Sequence, residues 1–275
     1  MREQMKRVAN VGYLLSGVTR SMCPRDAART GLMIDFAKAY PERDRPAIAA
    51  LLGLSDLPQI ANVTPESAAD FAGLKVGDDI AMINGIDSLT LIRQSPEPAL
   101  VADQIEERLA STPEGTAINL RILRAGKPVE VIIRPDRGCS ARFIVNTGAG
   151  MTAFSDPHNV GLDYKLVTFT RSDDELALVA SHELTHIINR DAQTKDLGQR
   201  GKEDRADVVG ASIARCAGYD VGKALEFWRR YKKRDWLRFF RDPTHRSIDD
   251  RVALIKANSM TGECPPATDF KAKGR

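Results

Sequence analysis

The chain has 275 residues, long enough for two compact domains with separate cores. Its 40 basic and 37 acidic side chains leave a formal charge of +3, too small to argue for a nucleic-acid partner. No apolar run reaches the roughly 20 residues that span a bilayer, so no transmembrane helix is expected.

Residues 1–22 open the chain with Val8, Val11, Leu14, Leu15 and Val18 on one side, the spacing of an amphipathic helix. No signal peptide leads it, which fits either a cytosolic protein or a trimmed mature form. The four cysteines, Cys23, Cys139, Cys216 and Cys264, fit no metal-ligand spacing and allow three pairings if oxidised. Four buried thiols in a reducing compartment are the alternative.

The middle of the chain is punctuated by glycine-led turns at Gly73, Gly77 and Gly85. The run Val63-Thr64-Pro65-Glu66-Ser67-Ala68-Ala69, then Ala72-Gly73-Leu74-Lys75-Val76-Gly77-Asp78-Asp79-Ile80 and Ile83-Asn84-Gly85, closely resembles a PDZ domain of the HtrA protease type. That resemblance implies a module over residues 25–136. Thr30 and Gly31-Leu32-Met33-Ile34 would form its carboxylate-binding loop and groove strand, with a helix at 49–54 and a strand at 59–63. A groove helix at 100–109 and strands at 117–123 and 129–133 would complete it. Such grooves take an extended peptide as an added strand, so peptide or protein substrates are the partners implied. The tail Lys271-Ala272-Lys273-Gly274-Arg275 lacks the apolar end these grooves prefer, so self-capture is not expected.

Further on, Ser172-Asp173-Asp174-Glu175 reads as a capping box opening a helix over 173–190. Within it His182-Glu183-Leu184-Thr185-His186 places two imidazoles at i and i+4, where both can bind one zinc ion. Glu183 beside that ion can take a proton from bound water. Leu176, Val179, Ala180, Leu184, Ile187 and Ile188 bury the helix, so the imidazoles need a polar partner. A second helix is expected from Glu203 to about residue 217, stopped by Gly218. Glu203 can be a third ligand, and Asp207, one turn later on the same face, can orient a ligating histidine. Ala206, Gly210 and Ala214 form a stripe of small residues that lets this helix approach the first.

His182 to His186 with Glu203-x-x-Ala206-Asp207, preceded by Arg171-Ser172-Asp173-Asp174-Glu175-Leu176, resembles the zinc metallopeptidases that include HtpX-type proteases and the CAAX prenyl proteases. Met151-Thr152-Ala153-Phe154 looks like that family's substrate strand, with Thr152 in place of its usual asparagine. Pro243-Thr244-His245-Arg246-Ser247 and Arg251-Val252 are similar to its Thr-His-Pro segment and Arg-Ile pair, with Arg246 in place of proline. The resemblance implies that His245 stabilises the oxyanion and that Arg251 pairs with an acid such as Asp207. It further implies that the leading helix packs on the peptidase domain.

The combined expectation is an α+β chain. Residues 1–24 form the leading helix, 25–136 an inserted β-rich PDZ domain, and 137–275 a mainly helical zincin-like domain with a small sheet. Cys23 and Cys139 would then staple the insertion at its neck, and Cys216 would tie the second helix to Cys264. Disulfides imply an oxidising compartment such as a bacterial periplasm. The activity implied is zinc-dependent endopeptidase in envelope protein quality control. The alternative is a peptide-binding adaptor or chaperone with a latent peptidase site. A basic and aromatic run over 228–241 reads as a helix with aromatics inward and cations in water.

Overall fold

In the computed structural model of the protein, residues 1–234 and 245–266 are described. The 228–241 run therefore lies partly outside the described residues, and Pro243, Thr244 and the tail 271–275 lie wholly outside them. The fold mixes helices with several small sheets. It divides into two compact units, one of residues 1–26 with 138–275 and one of residues 27–137.

The 27–137 unit is built on one sheet in which Leu32–Asp35, Gln59–Val63, Asp79–Ile83, Ile118–Arg124 and Lys127–Ile133 follow one another, each antiparallel to the next. Ile118, Leu120 and Ile122 alternate with Asn119 and Arg121, so the two-residue period sends the apolar set inward. The last two strands join through Ala125 and Gly126, both at positive φ (50° and 76°), the twist a two-residue hairpin requires. Helix Val101–Ala110 adds Val101, Ile105 and Leu109 to the core. Asp78, 1% exposed, is held by Arg124 at 2.8 and 2.7 Å and by the Lys75 amide at 2.8 Å, which fixes the glycine-led turn. Gly31 has a φ of +79°, and a Cβ there would meet the Ser67 side chain at 2.2 Å, so only glycine fits.

Four boundaries in this unit differ from the sequence expectation; two belong to strands, which run over Ile118–Arg124 and Lys127–Ile133 where 117–123 and 129–133 were expected. The helix placed at 49–54 runs over Arg45–Leu52, because Pro46 suits a first turn and Gly53, at φ 66°, ends it in the left-handed region. The groove helix begins at Val101, after a short turn at Pro98–Leu100.

In the other unit, Arg2–Val18 forms the leading helix and Arg20–Met22 a single tighter turn, so the helix stops short of residue 22. Val8, Val11 and Leu15 are buried as expected, while Leu14 is 41% exposed. Its Gly12 lies so close to Phe143 that a Cβ would come within 2.5 Å of the ring. Phe143 belongs to strand Arg142–Asn146, which is parallel to Asn159–Asp163; Ala153–Ser155 pairs antiparallel on that strand's other side and forms one edge of the sheet. Helices Asp173–Ile188 and Gln199–Cys216 pack against each other to form the centre of this unit. Ile248–Asn258 packs on the second of them.

Cys23 is bonded to Cys139 and Cys216 to Cys264, with Cα separations of 5.3 and 5.5 Å. No helix among the described residues is long and apolar enough to cross a membrane.

Candidate functional site

Ser172 starts the histidine helix by accepting a hydrogen bond from the Glu175 amide at 3.3 Å. Glu175 does not reach back to the capping residue itself. Its carboxylate accepts from the Arg171 amide at 2.8 Å and is gripped by the Arg230 guanidinium. The helix ends at Ile188 instead of 190, because Arg190 takes a φ of 53° and turns the chain away. Between these ends the four-residue spacing sets the His182 and His186 rings on one face, with centroids 5.0 Å apart and Nε2 atoms 3.3 Å apart.

The second helix starts at Gln199, four residues before Glu203. The sequence reading missed that first turn because it is polar. Its anchor is Lys202, a buried cation whose Nζ donates to the Asp191 and Thr194 carbonyl oxygens. Ala206 and Ala214 are fully buried, and a Cβ added at Gly210 would lie 2.8 Å from the His182 backbone nitrogen. This close approach carries Glu203 to the histidines. Gly210→Ala is accordingly expected to destabilise the protein by about 1–3 kcal/mol through overpacking. An unchanged urea midpoint in the variant would show that the helices can separate without penalty.

Glu203 Oε2 lies 2.8 Å from His245 Nε2, 3.2 Å from His182 Nε2 and 3.7 Å from His186 Nε2. The opposite ring nitrogens each face a carboxylate. His182 Nδ1 is 3.0 Å from Asp207 Oδ1, and His186 Nδ1 is 2.7 Å from Asp191 Oδ2. Asp207 is in turn bound at 2.7 and 2.6 Å by Arg251, whose guanidinium stacks 3.9 Å over Trp228. Asp191 is bound by Arg205. Holding each imidazole by Nδ1 directs its Nε2 lone pair toward the common point. Lone pairs that converge in this way repel one another unless a positive charge lies among them.

The proton affinities express that demand. Burial alone would lower the His182 pKa, but hydrogen bonds to Asp207 and Glu203 outweigh it and raise the value. His186 is likewise opposed by burial and is pushed up to about 10 by Asp191 and Glu203. Glu203, despite its own burial, is held well below the usual carboxylate range by the three histidines. Burial also works against Asp207, yet Arg251 and His182 hold it low. His182, Glu203 and His245 each present a ligand atom within 4.8 Å of the others, so the point can hold a cation as well as a proton.

Glu183 stands beside this point, its Oε2 accepting a 2.9 Å hydrogen bond from Ser155 Oγ. Ser155 ends the edge strand, and next to it opens a cleft of about 580 Å³ whose lining includes His158, His186, Arg190, Lys202 and Glu203. Phe154 is 41% exposed and lies over Gly161, where a Cβ would strike its ring at 2.2 Å. The Thr152 amide and hydroxyl both donate to Asp163 Oδ2, at 2.8 and 2.9 Å. Arg246 forms a paired bridge to buried Asp204 at 2.6 and 2.8 Å. His158, on the cleft rim, faces the Arg25 guanidinium.

The structure thus brings Glu183, His182, His186, Glu203, His245, Asp207 and Arg251 together, with Ala153 and Phe154 on the neighbouring strand. Gly31, Leu32, Met33 and Ile34 belong to the other unit, on its edge strand and the turn before it. Sequence reasoning passed over Asp191 and Ser155. Asp191 follows the helix stop, where no periodicity ties it to His186. Ser155 gains its role only from the sheet pairing that sets it opposite Glu183.

No family model matches the chain. Among curated proteins it is similar to the periplasmic pH-dependent serine endoprotease DegQ of Escherichia coli (strain K12). The two are 33% identical over 82 residues, which is 30% of this chain and 16% of that protein. Among solved structures it is similar to the HtrA-type protease AlgW with decapeptide, at 20% identity and a TM-score of 0.30, covering 40% of this chain and 29% of that one. The chain therefore spans less than a fifth of the curated relative it matches.

These findings correct the identification read from the sequence. They indicate no HtpX or CAAX prenyl protease family, and the curated relative is a serine endoprotease. The chain is not placed in that family, it is not described as a zinc metalloendopeptidase of the gluzincin type, and zinc is not assigned as its cofactor. The physical reason is that HExxH is a short signature. A four-residue histidine spacing fixes that two rings meet, and buried carboxylates can satisfy such a pair through protons. What the comparisons give is a similarity to a serine endoprotease over 82 residues.

Proposed function

We propose that the chain is a peptidase with a peptide-recognition unit, working outside the cytoplasm. The observation that carries the reading is the placement of Glu183, a carboxylate fixed by Ser155 beside a cleft and beside a point where three imidazoles and Glu203 converge. Glu183 takes a proton from the attacking water and returns it to the leaving amine. His182, His186 and Glu203 form the polar set that fixes the reacting position, and His245 donates to the developing oxyanion. Asp207 and Arg251 hold His182 in orientation. The substrate lies extended along the free edge at Ala153, with Phe154 beside it and Thr152 spent on Asp163.

The 27–137 unit is read as an inserted PDZ domain that recruits the substrate through Gly31, Leu32, Met33 and Ile34. The remainder is the catalytic domain, with the leading helix packed on it. Similarity to a protease supports the peptidase class, and the curated relative's periplasmic site together with two disulfides supports an extracytoplasmic location.

The test is incubation of the purified chain with casein, with new N-termini read by mass spectrometry. Internal cleavage supports the reading, whereas intact casein with retained peptide binding returns the protein to the adaptor class. Elemental analysis of the same preparation tells whether the convergent point is filled by a cation or by protons.

A further inference from the structure

The cleft of about 580 Å³ beside Ser155 is lined by acidic and basic side chains that all belong to one unit. Its three acids are each engaged. Asp156 accepts from the His158 and Asn159 amides at 2.7 and 2.8 Å and from Asn159 Nδ2 at 2.8 Å, which closes its own turn. Asp191 is held between His186 and Arg205, and Glu203 faces the three imidazoles. The cations are not cancelled in this way. Lys202 is buried and donates to the carbonyl oxygens of Asp191 and Thr194, which carry no net charge. Arg25 is exposed and gives one guanidinium N–H to His158 Nδ1, which accepts it as a neutral ring. Arg190 is exposed, and its guanidinium has no bonded partner among the described residues. Its φ of 53° is a turn conformation that glycine holds at lower cost, so the side chain and not the turn is what an arginine contributes there.

We infer that this cleft is a side-chain subsite of the peptidase and that it takes an acidic residue, aspartate or glutamate, of the substrate. The inference rests on the peptidase reading and adds the substrate class. The cleft reaches Ser155, His186 and Glu203, so a side chain from a substrate lying on the Ala153–Ser155 edge enters it beside the reacting position. There a carboxylate meets the guanidinium forks of Arg25 and Arg190, whose paired N–H groups match its two oxygens. Lys202 adds a third positive charge, and because it is buried that charge is screened less by salt than a surface one. A lysine or arginine of the substrate meets three like charges instead. The acids that line the cleft already hold their own partners, so a basic side chain would have to share them.

The experiment incubates the full chain with an equimolar mixture of synthetic peptides of random sequence and reads the cleaved bonds by mass spectrometry. Aspartate and glutamate are expected at one fixed position near the cleaved bond roughly tenfold more often than lysine and arginine, because an exposed ion pair gains a few-fold and a like-charge encounter loses about as much. The preference should weaken in high salt. Arg190→Gly suits the positive φ, so the variant is expected to fold, which circular dichroism checks, and its preference should drop severalfold. Arg190→Glu should move the enrichment toward lysine and arginine, a change that a purely structural role of Arg190 would not produce. Cleavage without charge preference, or with the same preference in both variants, overturns the acidic subsite and leaves the peptidase reading standing. No cleavage of any peptide by the wild-type chain overturns both.

Discussion

Glu183→Gln is expected to lower casein cleavage by roughly 10²–10⁴-fold, the usual contribution of a positioned general base, while the fold is kept. Glutamine has nearly the same shape, and its carbonyl oxygen can still accept the 2.9 Å hydrogen bond from Ser155. What it lacks is the capacity to take up a proton. The loss should fall on kcat with KM little changed, because Glu183 acts on the water and not on the extended peptide. Cleavage retained at wild-type rate would remove Glu183 from the centre and, with it, the proposed mechanism.

Arg251→Met is expected to cost about 3–5 kcal/mol, the range for removing one partner of a buried ion pair. Arg251 is 6% exposed and Asp207 3% exposed, so water cannot replace the two lost hydrogen bonds. The stacking of the guanidinium on Trp228 is lost as well. The pH dependence follows from the direction of the Asp207 shift. Its folded pKa is held low by Arg251 and His182 against burial. The pair therefore contributes stability above the unfolded aspartate value of about 3.9, and that contribution disappears as pH falls through the folded value. In the variant Asp207 protonates more readily, so the stability gap from wild type should be full near pH 7 and narrow in acid. Urea titrations at several pH values would show this; a gap that stays constant down to pH 3 would mean the loss is one of packing alone.

The elements most legible in the sequence were those with a strong local period or a cap. Gln59–Val63 matches its expected bounds, and Ser172 sets the start of the histidine helix through a side chain that any reader can see. Gly218, at φ 92°, closes the second helix where a glycine stop was expected. The start of that helix was hidden because Gln199 to Lys202 look like loop until Lys202 finds the carbonyls of Asp191 and Thr194. In the cluster, the spacing of His182 and His186 announced that two rings share a face. It could not announce what satisfies them, because Asp191 lies beyond the helix end and Ser155 comes from a strand 28 residues away. Chemistry inferred from a five-residue signature went further than that signature could carry, and the comparison with known proteins corrected it.

The Cys23–Cys139 bond joins residues 116 apart and encloses the whole 27–137 unit between its two sulfurs. A single backbone cut anywhere in that unit therefore does not release a fragment. The clipped protein would migrate as one species on a non-reducing gel and as two after reduction. In a compartment shared with other proteases, the bridge keeps a nicked recognition unit covalently attached to the rest of the chain.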